Sequence, residues 1–310
     1  MSILITGAGG YLGSELTWRF LQEGYNVTAI DKLIFNQGDL VANILTHPNC
    51  EFYNLDVMEI PDKILKSCDV IYPLAALVGM PICKKDIKET YRVNTESIKW
   101  LTSKVSKNQR IIFPNTNSGY GTAGNNICDE STPLASISDY GRSKELAEKI
   151  LREMPNATIY RLATVYGPSW RPRLDLLVNF FVYHAVHDNK LEIYEGNFNR
   201  NFVHIDDVID IFFKSKFLSP TFGNVFNLGQ DKDNMSKSQL INIIKGFFHD
   251  LKITYSKKED PDKRNYLVSS DKLSQYLKVK HTIVDKMPEL IKFFKLMPTD
   301  PHLTKSMKNV

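Results

Sequence analysis

The run Thr6-Gly7-Ala8-Gly9-Gly10-Tyr11-Leu12-Gly13 constrains this chain more than any other feature. It joins an apolar run, Ser2–Thr6, to a segment whose Leu12, Leu16, Phe20 and Leu21 share one helical face. A strand that turns at once into a helix needs glycine at fixed places. The first allows the sharp reversal, the second lets backbone approach an anion, and the third lets helix pack on strand. The start of that helix also offers unpaired N–H groups to the anion. Strand and helix then alternate. Asn26–Asp31, Glu51–Leu55, Asp69–Tyr72, Arg110–Phe113 and Thr158–Leu162 read as strands, and Gly38–Thr46, Asp86–Lys107 and Asp139–Glu153 read as helices.

Residues 1–165 therefore read as a Rossmann-type, doubly wound parallel sheet in an α/β fold. After Gly167-Pro168 the elements shorten. Helices are expected at Leu174–His187, Asp206–Phe217 and Lys237–His249, with short strands at Leu191–Tyr194, Val225–Leu228 and Ile253–Tyr255. Residues 166–297 read as a smaller C-terminal α/β subdomain that binds substrate, and 298–310 as a polar, frayed tail. The chain has 310 residues, 43% of them apolar and 24% charged, which excludes a disordered polymer. A net charge of +4 gives no reason to expect a nucleic-acid or anionic-membrane partner. Cys50, Cys68, Cys83 and Cys128 lie far apart with no C-x-x-C pair, so neither a metal site nor a disulfide framework is expected. No stretch reaches the roughly 18 apolar residues of a membrane span. A soluble cytoplasmic protein is the expectation.

Asp31 ends the second strand, where a carboxylate can accept hydrogen bonds from ribose hydroxyls and repel a 2′-phosphate. That favours NAD over NADP, although Lys32 adjoins it. Asp56, just after the third strand, could meet an adenine amino group or simply cap a loop. Tyr140 and Lys144 stand four residues apart and so share a helical face. A cation beside a phenol favours the phenolate, which equips Tyr140 as a general base toward an alcohol. Tyr276 and Lys280 repeat that spacing in a basic stretch far from the sheet and are set aside. Thr116, beyond the strand Arg110–Phe113, is expected in the same crevice as Tyr140 at the carboxyl edge of the sheet.

The glycine turn, Leu74-Ala75-Ala76, Val93-Asn94, Phe113-x-x-Thr116-x-x-x-Tyr120-Gly121, Tyr140-x-x-x-Lys144 and Arg161–Pro168 together resemble the extended short-chain dehydrogenases, specifically the nucleotide-sugar epimerases and dehydratases. Asn179-Phe180, Arg200–Asp207 and Asp262-Lys263-Arg264 extend the likeness to about residue 275. The resemblance implies NAD bound by Gly7, Gly10, Tyr11, Leu12, Gly13, Asp31 and Lys32, then Asp56, Val57, Leu74, Ala75, Ala76 and Asn94, with Tyr140 and Lys144. It implies catalysis by Thr116, Tyr140 and Lys144. Asn179, Arg200 and Arg264 would hold a nucleoside diphosphate, charge-assisted for the arginines, while Asn117, Ser118 and Thr164 face the sugar.

The family's first step is removal of a sugar hydroxyl proton, usually at C4, with hydride transfer to NAD. Related 4,6-dehydratases carry Thr-Asp-Glu where this chain has Thr116-Asn117-Ser118, and related decarboxylases use a Glu at the Ser118 position. Dehydration is disfavoured by that loop. A 4-epimerase is the first expectation; a C4 dehydrogenase that releases a 4-keto sugar, for example from a GDP-heptose, is the alternative, and a non-catalytic sensor a more distant one. The loop looks most like bacterial surface-polysaccharide branches. Helices Asp86–Lys107 and Asp139–Glu153 carry surplus apolar positions and, by the resemblance, pair across a homodimer axis. Trp170–Arg173 reads as a lid over the sugar.

Overall fold

Ile3, Leu4 and Ile5 are all fully buried, which an amphipathic surface strand would not allow. Ile3 and Ile5 face one apolar cluster and Leu4 another, so the first strand is covered on both faces. The computed structural model describes residues 1–194, 196–256 and 264–309. In chain order its strands are β1 (Ser2–Thr6), β2 (Asn26–Ile30), β3 (Cys50–Tyr53), β4 (Val70–Pro73), β5 (Arg110–Thr116), β6 (Thr122–Cys128) and β7 (Ala157–Leu162). They continue as β8 (Thr164–Tyr166), β9 (Lys190–Ile193), β10 (Asn199–His204), β11 (Val225–Leu228), β12 (Gln230–Ser236), β13 (Lys252–Tyr255) and β14 (Asn265–Val268).

Seven strands form one parallel sheet in the order β11-β7-β5-β4-β1-β2-β3. The order runs outward from β1 in both directions, which opens a crevice at the carboxyl edge between β1 and β4. Helices Tyr11–Gln22 and Ile205–Ser215 pack on one face, through Leu16, Phe20, Val208 and Phe212. Helices Ser97–Lys104 and Asp139–Leu151 pack on the other, through Ile98, Leu101, Ala147 and Leu151. This is the doubly wound α/β fold that the alternation of elements implied. The remaining strands make small sheets, β12-β10-β8, β13-β9 and β14-β6. The first two border a separate apolar cluster built from helices Leu177–His187, Lys237–Lys245 and Ile283–Lys295, while β14-β6 packs its Cys128, Tyr266 and Val268 with Tyr120. No helix among the described residues is long and apolar enough to cross a membrane.

Three expectations are corrected. Val225–Leu228 does not stay with the second half but pairs with β7, Val225 opposite Ile159, and becomes the edge of the main sheet. The segment expected as one helix from Asp86 to Lys107 is helical over Ile87–Tyr91 and Ser97–Lys104, with a wide π turn at Arg92–Glu96 between them. The turn carries Asn94 and Thr95 to Ser143 of the neighbouring helix, through Asn94 Nδ2 to Ser143 Oγ at 3.0 Å and Thr95 Oγ1 to the Ser143 carbonyl at 2.8 Å. The described part of the tail is not frayed. Pro301–Thr304 and Lys305–Met307 are short helices, and Thr304, Met307 and Asn309 are buried, because Met307 enters the second apolar cluster.

Candidate active site

A cavity of about 960 Å³ lies at the carboxyl edge of the sheet, between the loops after β1, β2, β4 and β5 and the second half of the chain. Its floor is the glycine turn. Gly7 has φ +70°, and a Cβ there would lie 2.7 Å from the Ala75 nitrogen. A Cβ on Gly13 would run into the Gly7 carbonyl. Gly10 is the N-cap of helix Tyr11–Gln22 and supplies no side-chain cap, so the first N–H groups of that helix are left for an anion such as a pyrophosphate. Tyr11, Leu12, Leu74, Ala75 and Ala76 line the same end. A dinucleotide therefore fits the backbone here.

Asp31 accepts hydrogen bonds from the Gly9 and Leu33 nitrogens at 2.8 and 2.7 Å, tying the glycine turn to the next loop. Burial raises its pKa, and those two bonds pull it back. The ammonium of Lys32 is turned toward Asp56, 3.1 Å away, rather than toward Asp31. Asp56 also binds Arg92 at 2.7 Å and caps the short helix at Val57 through the Met58 nitrogen at 3.1 Å. The Arg92 guanidinium holds the Asp56 carboxyl far below the usual carboxylate range. Asp56 and Val57 do line the cavity, but the Asp56 side chain is first of all a cap and an ion-pair hub.

Tyr140 and Lys144 project from one face of helix Asp139–Leu151, which Ser138 caps by accepting from the Gly141 nitrogen at 3.1 Å. Lys144 is buried, with Nζ 3.8 Å from the centroid of the Phe113 ring. Burial pushes its pKa down to about 7. Burial pushes the Tyr140 phenol up to about 12, against a hydrogen bond with Thr116 and the charges of Arg264 and Arg173. β5 runs on to Thr116, whose partner on β7 is Leu162, so Thr116 ends the strand rather than following it. Its hydroxyl accepts from the Ser118 nitrogen at 3.1 Å and donates to Ser118 Oγ at 2.9 Å, while Arg264 also donates to Ser118 Oγ. Thr116, Ser118, Tyr140, Lys144, Thr164, Arg200 and Arg264 all line the cavity. The arrangement can take a proton from an alcohol beside a bound dinucleotide.

Three expected contact residues stand behind the cavity wall. Asn94 spends its amide on Leu77, accepting from its nitrogen at 2.8 Å and donating to its carbonyl at 2.9 Å. Asn179 accepts from the Gly167 nitrogen at 3.0 Å and donates to the Arg173 carbonyl at 3.1 Å, which ties together the loop that follows β8. Asn117 is wholly buried, and neither amide atom has a partner among the described residues. Trp170 is no lid. It packs edge-on against Trp18 at 5.4 Å, and its nitrogen donates to Glu15 at 2.8 Å. Arg171 and Arg173 do reach the cavity, the latter paired with Asp175 at 2.6 Å. Asp262 and Lys263 lie outside the described residues. Sequence spacing gave no signal for Tyr194, Lys237 or Asn309, which also line the cavity and come from distant parts of the chain.

The family model described as "NAD dependent epimerase/dehydratase family" matches residues 3–229. A UDP-glucuronic acid decarboxylase 1 of Xenopus tropicalis is 24% identical over 288 residues, 87% of this chain and 66% of the relative. A putative UDP-glucose 4-epimerase of Methanocaldococcus jannaschii is 25% identical over 260 residues, 78% of this chain and 81% of the relative. Among solved structures, a UDP-glucuronic acid 4-epimerase from Bacillus cereus, in complex with UDP-glucuronic acid and NAD, superposes with a TM-score of 0.85 at 24% identity. That alignment covers 95% of this chain and 99% of the other, and it shows the shared fold.

Proposed function

This chain belongs to the NAD-dependent epimerase/dehydratase family, and from that premise we propose that it is a nucleotide-sugar 4-epimerase. NAD is the cofactor; when bound, it accepts hydride from the sugar carbon and gives it back. Tyr140 takes the C4 hydroxyl proton as the C4–H hydride leaves, with Thr116 holding the same oxygen and Lys144, in its charged form, favouring the phenolate. The 4-keto sugar turns over, receives the hydride on its other face, and recovers the proton from Tyr140. Atoms and electrons balance without a second oxidant.

The observation that carries this reading is the chemistry of the wall beside Tyr140. Its loop, Thr116–Tyr120, offers the hydroxyls of Thr116 and Ser118 and no carboxylate; of the carboxylates elsewhere on the lining, Asp175 is paired with Arg173 and Glu192 belongs to β9 in the second half of the chain. Removal of water across C5 and C6 needs an acid and a base at that place, whereas hydride exchange at one carbon needs neither. Residues 1–165 would hold NAD and residues 166–297 the sugar nucleotide, with Arg200 and Arg264 toward the diphosphate. Both relatives bear names that refer to UDP sugars, which makes UDP-hexoses and UDP-uronates the first substrates to try. A cytoplasmic homodimer working on surface-polysaccharide precursors completes the proposal.

The test is incubation with NAD and a panel of UDP-, GDP-, CDP- and dTDP-sugars, followed at 340 nm and by NMR of the sugar. One sugar should interconvert with its C4 epimer while absorbance stays flat. Lasting absorbance with a keto product would make the protein a C4 dehydrogenase instead.

A further inference from the structure

The segment after helix Ile283–Lys295 returns to the cofactor end of the molecule, and its contacts form a chain. The guanidinium of Arg171 lies 4.5 Å from the ring centroid of Phe35, in the loop after β2. Arg171 Nε donates to the Ser306 carbonyl at 2.8 Å and its Nη2 to the Lys308 carbonyl at 3.2 Å. The Leu174 nitrogen donates to the Met307 carbonyl at 2.9 Å. Asn309 Nδ2 then donates to the Val78 carbonyl at 3.2 Å, in the loop after β4. Phe35, Arg171, Val78 and Asn309 all line the cavity, and Arg171 and Asn309 are only 2% and 4% exposed.

The sheet order gives these contacts a direction. β2 and β4 are the two neighbours of β1, so the loops at Phe35 and Val78 flank the glycine turn on opposite sides. A dinucleotide on such a sheet lies across the carboxyl edge, with its pyrophosphate at that turn and its two nucleosides to either side. Residues 306–309, tied to the Phe35 loop through Arg171 and to the Val78 loop through Asn309, therefore connect the two sides of the glycine turn.

We propose that residues 301–309, fastened by Arg171 and Asn309, are a strap over the cofactor site that keeps NAD bound from one turnover to the next. The inference rests on NAD as the cofactor and not on which sugar reaction is catalysed. Nothing in the spacing of the glycine, Tyr140 or Lys144 motifs assigns this segment a role. A retained cofactor suits an enzyme that takes a hydride and returns it, since no exchange with free NAD is then required.

The test follows NADH release from the full chain by stopped-flow displacement with excess NAD. Arg171→Met keeps the apolar stem and removes both bonds to the strap; Asn309→Ala removes the bond to Val78. Each should speed release by about tenfold, which is about 1.4 kcal/mol, with the melting temperature of the nucleotide-free protein little changed. The double variant should gain less than the product of the two, because both loosen one strap. Unchanged release rates in both folded variants would overturn the proposal. The unaltered protein gives a second reading that needs no folded variant: amides within 301–309 should gain hydrogen-exchange protection when NADH saturates the protein, and no gain would equally contradict it. Neither readout depends on sugar turnover, so a failed strap and a failed epimerase reading are distinguishable.

Discussion

Lys144 shows most plainly how the site sets its own chemistry. An ammonium with no water around it is disfavoured, and burial brings the Lys144 pKa to about 7 in the nucleotide-free protein. In the unfolded chain the same group titrates near 10.4. Between those values the unfolded state holds a proton that the folded state has released, so stability rises with pH, by at most about 1.4 kcal/mol per pH unit. Lys144→Met removes the effect. Denaturant midpoints measured at pH 7 and pH 9 should show wild type gaining on Lys144→Met as pH rises; a constant difference would mean that the ammonium is solvated. Tyr140, Lys144, Thr116 and Asp31 were readable from sequence because each sits at a fixed distance from a strand end or on one helical face. Asn94, Asn117 and Asn179, expected at the ligand, stand behind the cavity wall instead. An asparagine that meets a ligand and one that holds a loop look alike until burial is known.

Elements behaved the same way where their partners were near in sequence. The glycine turn and the alternating strands follow from local pattern, whereas β11 and the strap find partners that no window reaches, Arg171 being 135 residues from Ser306. The π turn at Arg92–Glu96 is a third case. Its Asn94 clamps Leu77 and Ser143 at once, joining the loop after β4 to the helix that carries Tyr140 and Lys144. Asn94→Ala would leave the Leu77 N–H buried without a partner and its carbonyl with only the weak Cys83 thiol donor, at a cost of about 1–3 kcal/mol. Urea unfolding should report that loss, and NAD titration should show affinity weakened several-fold, because Leu74, Ala75 and Ala76 belong to the same loop. Full NAD affinity in a folded Asn94→Ala protein would show that the clamp does not shape the cofactor site.

At the scale of the molecule, helices Ser97–Lys104 and Asp139–Leu151 leave apolar surface uncovered. Leu146 is 41% exposed and Trp100 and Ile150 are half-buried, on the layer that faces away from the second half of the chain. Pairing of two such faces is the homodimer we expect. Light scattering at micromolar concentration should give twice the 35.5 kDa of one chain, and Leu146→Glu should shift it toward one; a monomeric mass for wild type would remove the dimer from the account. The central claim is that hydride leaves and returns to one carbon with no proton drawn from solvent onto carbon. It is tested most directly by running the reaction in D₂O and reading the product by NMR. The account predicts a C4-epimerised sugar with no deuterium on any ring carbon or at C6. Deuterium at C3 or C5 would contradict it, because only chemistry that makes and reprotonates a carbanion beside the 4-keto group puts it there.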